Sequence, residues 1–294
     1  MSEEYTTDEI MTVLIAREVN NDDIMIVGVS TPMVWAAFTL AKVTHAPDAI
    51  YHYIMGNTFV YEPREVSLLY LEMNLHRGYK FQTSAECTLE YLPSDTLTTI
   101  EFFRPAQIDE NGNTNNICIG DWYNPKVRLP GCAGIADFSM LYSRGQFFYC
   151  PRHDKRTFVS SDKMDFVSGV GFKYGEKSDS GGSGPQCMIT DLAYLTFDDK
   201  TKRMKIGSIH PGVDLDEVIE NTGFDLVIPE NLETTKPPTK RELKLLREKV
   251  DPLNIRKLEV LRGKEKEELL NCIIEKELEK ENKFPKLLTS TYIM

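Results

Sequence analysis

After Asp23 the chain runs Ile24-Met25-Ile26-Val27 and closes on Gly28. A strand with no polar residue has no face to give to water, so it must be covered on both sides, as in a parallel sheet. Ser30-Thr31-Pro32 then supplies a cap and an N1 proline for a helix carried on by Trp35, Phe38 and Leu40. Upstream, an N-cap at Thr7 with Asp8 and Glu9 in the first turn begins another helix. Its apolar positions Ile10, Val13, Leu14 and Val19 recur near helical period as far as Asn20-Asn21. Helix, buried strand, turn and helix make the rhythm of an open α/β sheet.

Further strands are expected over Ala49–Ile54, ending at Gly56-Asn57, over Thr98–Phe103 and over Phe147–Cys150. Met188–Thr190 and Ala193–Phe197 read as the arms of a hairpin, and Asp214–Asn221 as a short helix stopped by Thr222-Gly223. Lys177–Pro185 is a loop. Pro237-Pro238 marks a boundary, so residues 1–235 are read as one α/β domain and 236–294 as a C-terminal helical segment. That segment holds a closing helix over Thr239–Val250, ending by about residue 252, and an extension that is helical over Arg256–Lys283. Leu258, Leu261, Leu269, Leu270, Ile273, Ile274 and Leu278 give the extension an apolar stripe. The stripe faces either its own subunit or a partner.

Charge removes some function classes. The chain has 34 Lys+Arg against 45 Asp+Glu, a net of −11. Residues 236–294 hold 15 basic and 11 acidic side chains, leaving 19 and 34 in the body. An acidic body repels a phosphate backbone, which argues against nucleic acid as a partner. No apolar run reaches the roughly 18 residues of a membrane span, and the acidic N-terminus is unlike a secretory signal. Cys87, Cys118, Cys132, Cys150, Cys187 and Cys272 form no CxxC pair and no zinc-finger spacing, so no metal and a reducing, cytoplasmic setting are expected. Dinucleotide, Walker, HExxH and Gly-x-Ser-x-Gly motifs are absent from the sequence.

The densest signal is Ala106-Gln107-Ile108-Asp109-Glu110-Asn111-Gly112-Asn113-Thr114-Asn115, then Ile119-Gly120-Asp121-Trp122, then Gly131-Cys132-Ala133-Gly134. Asp109–Asn113 is a tight turn, because Asn-Gly tolerates positive φ. The backbone N–H groups of Gly131–Gly134 can approach a ligand closely and hold an oxyanion or a phosphate; a plain surface turn is the other reading. By alternation His52 shares a strand face with Ile54. Cys132 is the most nucleophile-like thiol, and small-residue packing is its alternative role.

Together, Pro105–Asp109, Gly112-Asn113, Asn115, Ile119-Gly120-Asp121 and Gly131–Gly134 followed by Asp137 resemble the β subunit of family I CoA-transferases, nearest the glutaconate CoA-transferase type. The similarity continues through Gly184-Pro185-Gln186, Thr190-Asp191, Thr201–Met204, Glu217–Phe224 and Arg247–Pro252, covering about residues 5–252. The resemblance implies a single open, mostly parallel sheet flanked by helices. It also implies a related α subunit as partner, in a heterodimer or heterotetramer, with the active site at their interface. Coenzyme A would arrive as part of an acyl-CoA substrate, with no permanently bound cofactor.

The family's transferases use a glutamate after an Ala-Pro-Asp strand to attack the acyl-CoA and form a glutamyl-CoA thioester. Here Ala46-Pro47-Asp48 leads to Ile54 and Met55 at that place, and no acidic residue lies between Asp48 and Glu62. Glu62 and Glu65 lie eight or more residues on. A branch without this glutamate opens a ring of a CoA thioester in steroid breakdown, and related members are decarboxylases. The branch shares Val167–Gly171, Gly120-Asp121-Trp122 and Ser208–Val213, and takes its working carboxylate from the α subunit. The resemblance thus implies a β subunit of a hydrolase or lyase that cleaves a carbon–carbon bond of a cyclic keto-acyl-CoA. Glutaconate-type CoA transfer and a non-catalytic partner role are the alternatives. Gly131, Cys132, Ala133 and Gly134 are the implied oxyanion and thioester site, and His52, Ile54, Met55, Gln107, Asn113 and Asn115 the pocket residues.

Overall fold

The computed structural model describes residues 4–28, 31–53, 58–60, 65–68, 79–80, 98–132, 134–136, 144–172 and 183–282. The expectations at Ile54, Met55, Gly56-Asn57, Glu62, Cys87, Ala133 and Asp137, and most of those for the loop before Pro185, lie outside the described residues. In chain order the elements are α1 (Thr7–Arg17), β1 (Asp23–Val27), α2 (Pro32–Thr44), β2 (Ile50–Tyr53), β3 (Thr58–Val60), β4 (Tyr79–Lys80) and β5 (Thr98–Phe103). Next come β6 (Gln107–Ile108), β7 (Thr114–Asn115), β8 (Cys118–Gly120), β9 (Pro125–Arg128), β10 (Gln146–Cys150), β11 (Pro185–Thr190), β12 (Ala193–Phe197) and β13 (Met204–Ile209). The chain closes with α3 (Leu215–Glu220), β14 (Glu233–Thr234), α4 (Lys240–Leu245) and α5 (Gly263–Asn282).

Strand β1 is buried along its whole length and pairs in parallel with β2 on one side and β5 on the other. β10 and β11 extend the parallel block beyond β5. Antiparallel pairs follow on both sides, β11–β12–β13 and β2–β3–β4, and β14 adds a parallel edge to β13, giving the order β14-β13-β12-β11-β10-β5-β1-β2-β3-β4. The expected hairpin is β11–β12. Alternation along β1 explains its burial. Met25 and Val27 join one core with α1 and α2, while Ile24 and Ile26 join the opposite core with Ile108, Phe148, Phe158 and Met188. The two long N-terminal helices cover the first face, and α3 contributes Val218 to the second.

Two boundaries differ from expectation. The cap of α1 is Thr6, not Thr7, because Glu9 then stands at the third helical position and accepts the Thr6 N–H at 2.9 Å. The helix expected over Arg256–Lys283 is two pieces, a 3₁₀ segment Ile255–Glu259 and then α5. Asp251 accepts the N–H groups of Ile255 at 2.7 Å and Arg256 at 3.1 Å, starting a new turn after Asn254 at φ +57°. The preceding helix also opens, from α4 into π geometry over Leu246–Val250. Residues of the C-terminal segment share the body's core: Leu246, Val250, Ile255, Leu258 and Ile273 pack into the cluster of α1 and α2. Of its apolar stripe, Leu258, Leu269, Leu270 and Ile273 therefore face its own subunit, whereas Leu278 is exposed.

A buried cation holds this closure. Arg256 is fully buried; its Nη1 donates to Asp251 Oδ2 at 2.8 Å and its Nε lies 2.8 Å from Asp8 Oδ2. Glu9 Oε1 stands 3.4 Å from Arg256 and 2.6 Å from Arg247. Burial works against the Glu9 charge, yet the Arg247 hydrogen bond, the Thr6 N–H and the two guanidinium charges bring its pKa down to about 2. Removing one partner of such a cluster strands the others, so Arg256→Ala is expected to cost about 3–5 kcal/mol in urea denaturation. Because the Glu9 pKa is depressed, its contribution is complete above about pH 4.5 and is lost as pH falls toward 2. Glu9→Gln should remove that acid limb from a stability-versus-pH curve.

Candidate functional site

The carboxyl ends of β1, β5 and β10 open into a cleft of about 1550 Å³, the place where a parallel sheet offers its loops to a ligand. Gly28, Glu101 through Gln107, Cys150 and Arg152 line its floor and wall, and Gly131, Cys132 and Gly134 line its rim. The C-terminal segment adds Glu259, Val260 and Arg262.

The Asp109–Asn113 turn is the tight turn expected, with Gly112 at φ +80°. Asp109 accepts the N–H groups of Asn111 and Asn113, both at 2.9 Å, and the Asn113 side-chain amide at 2.7 Å. Burial raises the Asp109 pKa against these donors. Asn113 Oδ1 in turn accepts the Gly171 N–H at 3.0 Å, and a Cβ at Gly171 would stand 2.3 Å from the Asn111 carbonyl oxygen. Asn115 donates to Gln107 Oε1 at 2.6 Å and to the Cys118 carbonyl at 2.7 Å, and accepts the Ile117 N–H. Gln107 Nε2 donates to Asp165 at 2.7 Å. Of these three predicted pocket residues, Gln107 lines the cleft, whereas Asn113 and Asn115 brace the β6–β7 hairpin behind it.

The glycine loop lies on the rim as expected, but Gly131, at φ +109°, donates its N–H to the Asn116 carbonyl at 3.0 Å. Gly131 therefore shapes the loop, and an anion there must draw on other donors. Ile135 closes the loop by donating to the Cys132 carbonyl at 2.7 Å.

His52 is buried on β2, stacked on Phe59 at 4.7 Å between ring centres, and is not among the cleft-lining residues. Burial lowers its pKa to about 4, so it is neutral at pH 7. His153 is a framework group as well, held between Thr190 Oγ1 at 3.1 Å and Thr222 Oγ1 at 2.9 Å, with burial lowering its pKa to about 3. Glu65 sits beside the C-terminal segment, where the Val66 N–H donates to the Val250 carbonyl at 2.8 Å, and it does not line the cleft.

Sequence reasoning missed the cleft's charged residues. Glu101 lies on β5, and Arg104, Arg152, Arg156 and Arg262 supply positive charge. Glu259 accepts the Met33 N–H at 2.8 Å, the Tyr149 hydroxyl at 2.8 Å and Arg104 at 3.1 Å, so the C-terminal segment is latched to α2, β10 and the cleft at once. Burial raises the Glu259 pKa against those donors. Asp154 is also partly buried, but the Arg156 hydrogen bond and nearby N–H groups hold its pKa low. The available signal was a glutamate inside a strand otherwise built of Thr, Ile and Phe.

Beside the cleft, the β8–β9 arm exposes Trp122, Tyr123 at 91% and Val127. Trp122 stacks on Phe166 at 4.9 Å, and Val127 both lines the cleft and is half exposed. Among the described residues no group of His, Cys, Asp and Glu could hold a metal ion, and no helix is long and apolar enough to cross a membrane.

Residues 8–221 match the family model described as Coenzyme A transferase. The chain is 34% identical over 262 residues to the β subunit of glutaconate CoA-transferase from Acidaminococcus fermentans, spanning 84% of this chain and 93% of that one. It is 32% identical over 254 residues to the β subunit of 3-oxoadipate CoA-transferase from Pseudomonas knackmussii, spanning 83% and 92%. The cholesterol ring-cleaving hydrolase IpdB subunit of Rhodococcus jostii is 29% identical over 156 residues, spanning 52% of this chain and 60% of that one. The solved glutaconate coenzyme A-transferase of Acidaminococcus fermentans superposes with a TM-score of 0.75 at 29% identity, covering 88% of this chain and 99% of that one.

The thiols give a direct check on the cleft. Cys118, Cys150 and Cys187 are buried, whereas Cys132 and Cys272 are partly exposed. Among the described cysteines, iodoacetamide on the native protein is expected to label Cys132 and Cys272 and to reach Cys118, Cys150 and Cys187 only after unfolding, as read by peptide mass mapping.

Proposed function

Because the chain belongs to the coenzyme A transferase family, we propose that it is the β subunit of a heteromeric enzyme acting on acyl-CoA thioesters, its cleft completed by a related α subunit. The chain spans more than nine-tenths of two transferase β subunits, so it corresponds to one half of such an enzyme. The exposed apolar arm at Trp122 and Tyr123 adjoins the cleft, and it suits a partner that covers the arm while walling the site. Coenzyme A enters as part of the substrate, and the cleft arginines suit its phosphates. The free thiols of Cys118, Cys150 and Cys187 support a reducing, cytoplasmic setting.

The chemistry we propose is hydrolytic or lytic cleavage of a carbon–carbon bond in a cyclic keto-acyl-CoA. The observation that carries it is Ile54, which stands where the resemblance places the nucleophilic glutamate of the transferases and cannot form a thioester. Water adds to the ring ketone, the adjacent carbon–carbon bond breaks, and the electron pair leaves as a thioester enolate that backbone donors of the glycine loop help to hold. A second reading, CoA transfer between carboxylic acids, is favoured by the extent of similarity. The two transferase β subunits match 83–84% of the chain, against 52% for the ring-cleaving hydrolase.

The purified complex with the α subunit is expected to open cyclic keto-acyl-CoA thioesters in water and to place oxygen from labelled water in the new carboxylate, with neither subunit active alone. Movement of CoA between two carboxylates, with no such incorporation, would reject the hydrolytic reading in favour of transfer. Coenzyme A should slow alkylation of Cys132 in the complex. Tyr123→Asp is expected to weaken assembly at least tenfold, about 1.4 kcal/mol, in analytical ultracentrifugation.

A further inference from the structure

The loop that leaves β10 lines the cleft and carries Arg152, Lys155 and Arg156 around one acid, Asp154. Arg156 holds Asp154 Oδ2 with two donors, Nη2 at 2.6 Å and Nε at 3.2 Å. Arg152 Nε stands 3.4 Å from the same oxygen. The acid is the buried member of the group: its side chain is 16% exposed, against 57% for Arg152 and 72% for Arg156. One carboxylate thus orients two guanidinium groups from beneath. Among the described residues, Asp154 is what their side chains meet by hydrogen bond or ion pair, and it leaves each of them further N–H donors.

The loop is stiff before any ligand arrives. Asp154 Oδ1 accepts the N–H groups of Arg156 at 3.1 Å and Thr157 at 3.2 Å, and the Asp154 carbonyl accepts those of Thr157 and Phe158. The buried His153 anchors the other side, donating its N–H to Asp191 at 2.6 Å. Asp191 also feels the charge of Arg152, so three cations stand against two acids and one positive charge is left over. Two guanidinium groups held in place lose little freedom on gripping an anion, and their planar forks match the oxygens of a phosphate.

The other cleft arginines are placed differently. Arg104 is paired one to one with Glu259, which also fastens the C-terminal segment. Arg262 is exposed, and no described acid orients it. The glycine loop lines the rim of the same cleft, so a ligand with a phosphate at one end and a thioester at the other can meet both.

We propose that Arg152 and Arg156 are the phosphate fork of this subunit. They hold phosphate at the ADP end of coenzyme A and so set the direction in which an acyl-CoA lies in the cleft. The proposal rests on the acyl-CoA reading above and on neither of the two chemistries within it.

The test titrates coenzyme A and dephospho-coenzyme A into the complex with the α subunit by calorimetry. Arg152→Gln and Arg156→Gln are each expected to weaken coenzyme A binding about tenfold or more. An equal loss for dephospho-coenzyme A assigns the fork to the diphosphate, and a loss seen with coenzyme A alone assigns it to the 3′-phosphate. Lys155→Gln removes the same charge from an exposed residue of the loop outside the cleft lining, and should change affinity by less than about twofold. A second measurement uses the wild-type complex, and decides where a variant fails to assemble. Coenzyme A, but not pantetheine at the same concentration, is expected to protect Arg152 and Arg156 from phenylglyoxal, read by peptide mass mapping. Wild-type affinity in both arginine variants, an equal loss in Lys155→Gln, or labelling undiminished by coenzyme A overturns the fork and leaves the acyl-CoA reading standing. A wild-type complex that binds no coenzyme A overturns both.

Discussion

The buried guanidinium of Arg256 joins parts of the chain that sequence keeps far apart. Asp8 and Glu9 belong to the first turn of the first helix, and Asp251 to the turn that begins the 3₁₀ segment near the other end. A charge with no exposure is tolerated only when neighbouring charges and hydrogen bonds replace water, and three carboxylates do so here. The consequence reaches the cleft. Three residues beyond Arg256, Glu259 meets Met33, Tyr149 and Arg104. Closure of the two ends and construction of one cleft wall are therefore a single event.

Much of the sheet was legible because its parallel strands obey a local rule. Ile24–Val27 had no polar residue to give to water, while Thr98–Phe103 and the β11–β12 hairpin were legible as short runs rich in β-branched, aromatic and apolar residues. The break before α5 was not legible, because composition over Arg256–Lys283 is uniformly helical. What divides it is Asp251, capping Ile255 and Arg256 while also pairing with the buried guanidinium, an arrangement that needs Asp8 from the far end of the chain. Tertiary partners outweigh local propensity there.

The site was legible as a place more than as a set of groups. The turn at Asn111-Gly112 and the loop at Gly131 mark themselves by residues that tolerate positive φ. Asn113 and Asn115 look like ligand-binding amides in the sequence, yet Asp109, Gly171, Gln107 and Cys118 satisfy them inside the hairpin. A buried amide must find partners, and the nearest backbone often supplies them. Glu101 is the opposite case. A single acid in a six-residue strand gives no periodic signal, and only the register shows that it opens into the cleft beside Gly28.

That register also sets which residues of neighbouring strands share a face. Moving a functional residue by one position along a strand turns it to the opposite face of the sheet. Moving it sideways keeps the face, because paired residues of parallel strands point the same way, and each step costs only the strand spacing of about 4.8 Å. β5 lies two strands from β2, with β1 between them, and Gly28, just past the end of β1, lies beside the Glu101 carboxylate. The Glu101 side chain lies in van der Waals contact with the place a Gly28 Cβ would take, so the two residues meet at the end of the parallel strands. Either residue alone would be ordinary at the end of a parallel strand. Together they place an acid at the mouth of the sheet's parallel strands.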